Sequence, residues 1–370
     1  MKELLRTLVE IPTTTTNLEA NHEALDFIDR YLSERGLFVR RHEFDGHESL
    51  VATTQNTKTP TIMLAAHLDV VPAPPRLFKL VEKDGKFYGR GTCDMKFAIA
   101  AYLQLVDDLQ EDLHHYDFGI MITTDEETGG RYGVAALLKA GYHSQACVLP
   151  DGGENWALEQ SAKGILWMNL TAIGKSSHAS RPWEGENAVE KMLLFLQAMQ
   201  QELFVEQNED TNTCNIGTIQ GGSTPNQVPE ACSARIDIRF LNKKEQHRLF
   251  GRITELCDMY DITYETVLND SAINIDLADP FVVSFAQSVE KLTGQPLVTT
   301  RSKAASDARY FAAHGIPALV IYPPGGGLHS NEEWIDVKGF YLFKDLILDY
   351  LAKTAVTSSE NSLKSLTSVQ

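Results

Sequence analysis

Acids and histidines recur along this chain at places where a short apolar run gives way to a turn. Ile62 to Ala66 leads into His67-Leu68-Asp69, Phe118 to Thr124 into Glu126-Glu127, and Ala146 to Pro150 into Asp151. Two glycine-rich loops carry the rest: Gly89-Arg90-Gly91-Thr92-Cys93-Asp94 and Gly325-Gly326-Gly327-Leu328-His329. A strand end is rigid, and the loop beyond it is free to carry function. Carboxylates and imidazoles delivered by separate strand ends are how a fold builds a metal site.

The 370 residues suggest two domains. Over the first part of the chain strands alternate with helices. Thr61 to Ala65, Gly119 to Thr123 and Ala146 to Leu149 read as strands; His22 to Arg35, Lys96 to Leu109 and Tyr132 to Ala140 read as helices. That alternation predicts an α/β layer structure around a largely buried sheet. The pattern changes near Lys163. Ile165 to Ala172, Cys232 to Phe240 and Ile262 to Val267 are strand-like, with helices over Glu186 to Glu202 and Lys243 to Tyr260. This is a small inserted module. The first character returns with a helix over Pro280 to Leu292, a strand over Ala318 to Tyr322 and a closing helix over Val337 to Lys353. The expected division is 1–161 with 271–356 as a discontinuous metal-binding domain, 162–270 as the insert, and 357–370 as a Ser-rich flexible tail.

Lys and Arg number 33 against 50 Asp and Glu, a net charge of −17. An acidic surface argues against nucleic acid or anionic membrane as a partner. Nothing approaches the ~20 consecutive apolar residues of a membrane span, and the N-terminus lacks a signal-peptide pattern. The five cysteines are far apart and odd in number, which fits reduced thiols in a cytoplasmic protein. Cys93 neighbours Asp94, but adjacent side chains point in different directions.

Each acid or histidine also has a plain structural explanation. His67-Leu68-Asp69 could be a polar turn, Glu126-Glu127 a solvated acidic loop, and Asp94 a helix N-cap. Asp151-Gly152-Gly153 could be a turn, and His329 an exposed loop histidine. Together they place two imidazoles and several carboxylates at element ends. That mixture suits zinc, and imidazole is a poor ligand for calcium.

The motifs have a specific resemblance. Ala65-Ala66-His67-Leu68-Asp69-Val70-Val71-Pro72, Gly89-Arg90-Gly91-Thr92-Cys93-Asp94-Met95-Lys96, Thr124-Asp125-Glu126-Glu127 and Gly325 to Glu332 resemble, in order, the signatures of a metallopeptidase and amidohydrolase family. Its members include acetylornithine deacetylase, succinyl-diaminopimelate desuccinylase, aminoacylase and carboxypeptidase G. The resemblance implies a zinc-peptidase-like catalytic domain with a mixed central sheet, interrupted by a small ferredoxin-like α+β lid and dimerisation domain. It also implies two zinc ions, with cobalt or manganese as substitutes. His67, Asp94 and Asp151 would hold one and Glu127, Asp94 and His329 the other, Asp94 bridging. Asp69 would orient His67, Glu126 would be the general base, and the peptide bond after Asp94 would be cis.

In the insert, Gly174 to Ser180 resembles the segment whose histidine, here His178, reaches a partner subunit's active site to stabilise an oxyanion. Gly221 to Pro229 with Asn226, and Arg239, resemble contacts to a substrate carboxylate, and Ser306 belongs to a segment resembling a substrate loop. Two departures stand out. Phe97 replaces a frequent glycine, and Lys303-Ala304-Ala305 replaces a Gly-Gly-Thr stretch of the desuccinylases, which counts against succinyl-diaminopimelate as substrate. The implied activity is hydrolysis of an amide bond in an N-acyl amino acid or small peptide by a water activated between two zinc ions, in a cytoplasmic homodimer. A dipeptidase- or carboxypeptidase-type exopeptidase, and a non-catalytic relative that keeps the fold, are the alternatives.

Overall fold

The computed structural model describes residues 1–302 and 306–357; Lys303-Ala304-Ala305 and the expected tail beyond Thr357 lie outside the described residues. The chain forms two compact units, one from Met1–Ser161 and the chain from Ile275 onward, the other from Ala162–Asn274. Ala272 packs on the core of the second unit, which carries that unit past the expected limit at residue 270.

The first unit is built on a six-stranded mixed sheet. Its strands run in the order Phe38–Phe44, His47–Thr53, Phe118–Thr123, Ile62–His67, Ala146–Val148, Ala318–Leu319. The last four are mutually parallel, and the first two pair antiparallel. Ile62–His67 and Phe118–Thr123 are buried at every position, as central strands covered on both faces must be. Consequently His67, the Glu126 loop, the Asp151 loop and the segment leading to His329 all leave the sheet at the carboxyl ends of parallel strands. That is where α/β sheets place their sites.

The Phe38–Phe44 and His47–Thr53 hairpin was not among the expected elements. Asp45 (φ 50°) and Gly46 (φ 80°) make its two-residue turn. An Asp-Gly pair is the residue choice that the right-twisted hairpin turn favours.

Helices Lys2–Glu10, Lys96–Leu109 and Val337–Thr354 pack together beside the sheet. Phe97 is fully buried and meets Phe343 edge to face at 5.2 Å between ring centroids. The ring that departs from the family pattern therefore fills the space under the helix. Lys96 is also fully buried, and its Nζ donates to the Leu8 and Ile11 carbonyls at 2.8 and 2.9 Å. It thereby ties down carbonyls that the end of the first helix leaves open.

The second unit is a four-stranded antiparallel sheet, ordered Thr213–Gly221, Ala231–Phe240, Gly164–Ile173, Ile262–Asp270. Helices Ala188–Leu203 and Lys243–Met259 cover one face. The connectivity is strand-helix-strand-strand-helix-strand, the ferredoxin-like order. Leu166, Met168, Leu170 and Ala172 alternate into the core against Met192, Phe195, Met199, Leu249 and Ile253. The sequence pattern lacks the Thr213–Gly221 strand. It is an edge strand with almost every residue exposed and a glycine at 217, so it carries no alternation to read. Among the described residues no helix is long and apolar enough to cross a membrane.

Candidate active site

His67 closes its strand and is 1% exposed. Its Nδ1 lies 2.9 Å from the main-chain oxygen of Asp69, and a carbonyl can only accept. Nδ1 therefore carries the proton, and Nε2 faces Asp94 Oδ1 at 3.0 Å. A bond at one nitrogen fixing the tautomer is how a protein prepares the other for a metal.

Asp69 contributes more than that bond. Its carboxylate stands 3.6 Å from His67 Nδ1 and accepts from Thr15 Oγ1 at 2.7 Å. It also accepts from the backbone N–H groups of Glu126 at 3.3 Å and Glu127 at 3.2 Å. Asp69 thus holds the Glu126-Glu127 turn as well as the His67 ring. Nothing in the sequence pattern pointed to Thr15, one of four consecutive threonines.

Asp94 is buried, and the Asp94–Met95 peptide is cis. Its two oxygens serve two rings: Oδ1 faces His67, and Oδ2 lies 3.1 Å from Nε2 of His329. His329 Nε2 is also 3.3 Å from Glu127 Oε2, while Glu127 Oε1 accepts from Val71 N–H at 3.2 Å. Asp151 Oδ1 lies 4.0 Å from His67 Nε2.

The ligand atoms fall into two groups, each mutually within 4.8 Å: His67, Glu126 and Asp151, and Asp94, Glu127 and His329. All five expected ligands are therefore brought together, with Asp94 in contact with both histidines. Glu126, expected as the base, sits within reach of His67 and Asp151.

The electrostatics point the same way. Burial and the charge of Asp151 push the Glu126 carboxyl up to about 10. Burial, countered in part by His67, pushes Asp151 up to about 8. Burial also opposes ionisation of Asp94, but the bonds from His329 and His67 outweigh it and hold that carboxyl well below its usual range. His67 is likewise disfavoured as a cation by burial, yet its bonds to Asp69 and Asp94 raise it well above its ordinary value. Such a cluster carries its full negative charge only beside cations. Asp151 Oδ2 is buried with no hydrogen-bond partner, and imidazole with carboxylate is a zinc donor set. The residues fit a metal site. Cys93 is not part of it: burial pushes its thiol well up, and its sulfur packs against Gly325.

The loop after Glu127 is pinned from the far side. Arg309 Nη2 and Tyr310 Oη both donate to the Gly129 carbonyl, at 2.8 and 2.5 Å. Asp307 presses on Gly130 so closely that a Cβ there would lie 1.9 Å from Oδ1, at φ +64°. Gly130→Ala is expected to destabilise the protein by about 2–4 kcal/mol, the left-handed backbone and the overpacking adding. The denaturant midpoint of the variant measures it. Asp307 is fully buried and pushed up to about 7 by burial and then by Asp125, and it was not among the expected site residues. Ser306, expected to touch substrate, is 5% exposed, and its hydroxyl accepts from Ala308 N–H at 3.4 Å.

The remaining expected residues lie in the second unit. His178 and Asn226 come from two segments that pair: Ala179 N–H donates to Asn226 O at 3.0 Å and Val228 N–H to Ser177 O at 2.9 Å. Both segments line a cleft of about 550 Å³. Ser180 N–H donates to His178 Nδ1 at 3.2 Å, which leaves the proton on Nε2 when the ring is neutral. Arg239 is engaged otherwise. Its Nε and Nη2 form a fork on Asp237 at 2.8 and 3.0 Å, two residues along the same strand face.

A family model described as peptidase family M20/M25/M40 matches residues 63–353. Aminoacylase-1 of Sus scrofa is 28% identical over 380 residues, spanning 91% of this chain and 92% of its own. A succinyl-diaminopimelate desuccinylase of Wolbachia pipientis wMel is 25% identical over 378 residues, spanning 95% and 94%. Among solved structures, aminopeptidase PepT from Bacillus cereus ATCC 10987 superposes with a TM-score of 0.74 at 22% identity, covering 95% of this chain and 98% of that one. With the motifs, the sheet and the ligand cluster in one place, the chain belongs to peptidase family M20/M25/M40 and is a metal-dependent hydrolase of amide bonds.

Proposed function

We propose that this enzyme hydrolyses the amide bond of an N-acyl amino acid or small peptide at a site for two zinc ions. His67, Asp94 and Asp151 would hold one, and Asp94, Glu127 and His329 the other. The observation that carries this reading is the Asp94 carboxylate, which offers one oxygen toward each imidazole at 3.0 and 3.1 Å. When bound, such a pair of ions polarises a scissile carbonyl and makes water more acidic.

The chain's own residues supply the rest. Asp69 fixes the His67 tautomer through its carbonyl and the Glu126-Glu127 turn through its carboxylate. Glu126, a half-buried carboxylate among acids, has high proton affinity; it takes the proton of the attacking water and passes it to the leaving nitrogen. His178, with its proton on Nε2, is suited to donate to the developing oxyanion. By the family resemblance it does so from a partner copy, which makes the 162–274 unit the dimerisation element. Asn226, beside His178, is the candidate contact to a substrate carboxylate. Arg239 would join it only by exchanging Asp237 for that carboxylate.

The test pairs elemental analysis with turnover. The expected result is about two zinc ions per chain and hydrolysis of some member of a panel of N-acyl amino acids, dipeptides, tripeptides and succinyl-diaminopimelate. The preferred substrate separates deacylase from exopeptidase. One tightly held ion with full activity would overturn the two-metal reading.

A further inference from the structure

Glu333 lies four residues past His329, outside every motif discussed above, and is 1% exposed. Its carboxylate accepts from four donors. Arg90 Nη1 and Gly91 N–H reach Oε2 at 2.5 and 3.1 Å; Cys93 N–H and Asp94 N–H reach Oε1 at 2.9 and 3.1 Å. Three of the four are backbone groups of the loop that delivers Asp94, and one belongs to Asp94 itself. Arg90, 2% exposed, reaches back with Nη2 to the Ser330 carbonyl at 3.1 Å. Gly89 N–H donates to the Glu333 carbonyl at 3.2 Å. Every one of these bonds joins the Asp94 loop to the segment that carries His329.

We propose that Glu333, held by Arg90, is the positioning residue that sets the Asp94 carboxylate between His67 and His329. Convergent backbone N–H groups in a loop form a concave anion site. Here the anion is the protein's own, and the loop wrapped on it presents Asp94 at a defined height and angle. Because His329 sits on the same short segment as Glu333, one carboxylate also sets the spacing between two candidate ligands. A buried ion pair kept only for stability gains little over an apolar pair and needs no bonds to loop amides. The three amide bonds are what a positioning role requires. A neutral glutamine could not replace Glu333 here: its NH2 would face the two donors that either oxygen now serves, and both would be left without an acceptor.

The inference rests on the reading that Asp94 holds metal, and the experiment separates the two. Zinc affinity of the full chain is measured by competition with a chromophoric chelator for wild type, Glu333→Gln, Glu333→Asp and Asp94→Asn, alongside the visible spectrum of the cobalt-loaded forms, thermal unfolding, kcat and KM. Glu333→Gln is expected to weaken zinc binding about 10- to 100-fold. It should also change the cobalt spectrum and lower kcat with little effect on KM. Glu333→Asp, which keeps the charge but retracts it, should recover part of the affinity. Should Glu333→Gln fail to fold, Arg90→Lys keeps the buried charge while removing the Ser330 bond, and a several-fold loss of zinc affinity is expected from it. A folded Glu333→Gln or Arg90→Lys protein with wild-type zinc affinity and spectrum, whatever its melting temperature, would overturn the proposal and leave the metal site standing. An Asp94→Asn protein that binds zinc like wild type would instead remove the reading beneath it, and the proposal with it.

Discussion

Glu126→Gln is expected to lower kcat about 10²- to 10⁴-fold, the span associated with a general acid–base group, while zinc content and KM stay close to wild type. Glutamine matches glutamate in size, so the turn should hold. The Glu126 backbone is fixed by its N–H bond to Asp69 Oδ1, which does not depend on the side chain. What glutamine cannot do is accept a proton. The proton affinity of Glu126 comes from burial first and the charge of Asp151 second. Cations among the neighbouring acids would oppose both effects and bring the group toward the range where it can both take and release a proton. The experiment has a second use, because Glu126 lies within 4.8 Å of ligand atoms on His67 and Asp151. If Glu126 were a ligand, Glu126→Gln would shed an ion, and activity would return with added zinc. Undiminished turnover with full zinc content would eliminate Glu126 as the base.

The sequence shows these groups because the fold places them where sequence is most readable. His67, Glu126, Glu127 and Asp151 follow apolar runs that can only be buried strands. Asp94 and His329 follow glycines in loops that would otherwise have little reason to carry them. The supporting contacts are hidden for the opposite reason. Thr15 meets Asp69 across 54 positions, and Glu333 meets Asp94 across 239. Nothing local distinguishes buried Glu333 from exposed Glu332 beside it. The pair on Arg239 was closer to legible: Asp237 is two positions away, so both side chains share a strand face. The Asp45-Gly46 hairpin, absent from the expected elements, did leave a local mark in its turn chemistry that could have found it. Long-range polar contacts and edge strands such as Thr213–Gly221 leave no periodic trace, and only the folded chain reveals them.

Asp94→Asn is expected to cost more than the loss of any other single candidate ligand, about 10³-fold or more in kcat/KM if metal chemistry supplies several kcal/mol of the catalysis. Asparagine keeps one acceptor oxygen and turns the other position into a donor. In the protein each Asp94 oxygen faces a different imidazole, so the substitution must fail at one of the two groups. The remaining oxygen is then uncharged, which weakens the other group as well. The same carboxylate is what raises the proton affinity of His329 and helps to raise that of His67. Zinc per chain should therefore fall at both positions. The stabilisation that zinc gives the folded state, which grows with the logarithm of its concentration over its dissociation constant, should shrink accordingly. Asp151→Asn is the control. Of the two imidazoles that Asp94 faces, Asp151 approaches that of His67, at 4.0 Å. Its loss should empty one position and spare the other. Elemental analysis and zinc-dependent melting of the two variants side by side decide the matter. Equal, partial zinc loss in both would mean that Asp94 serves one ion and is not shared.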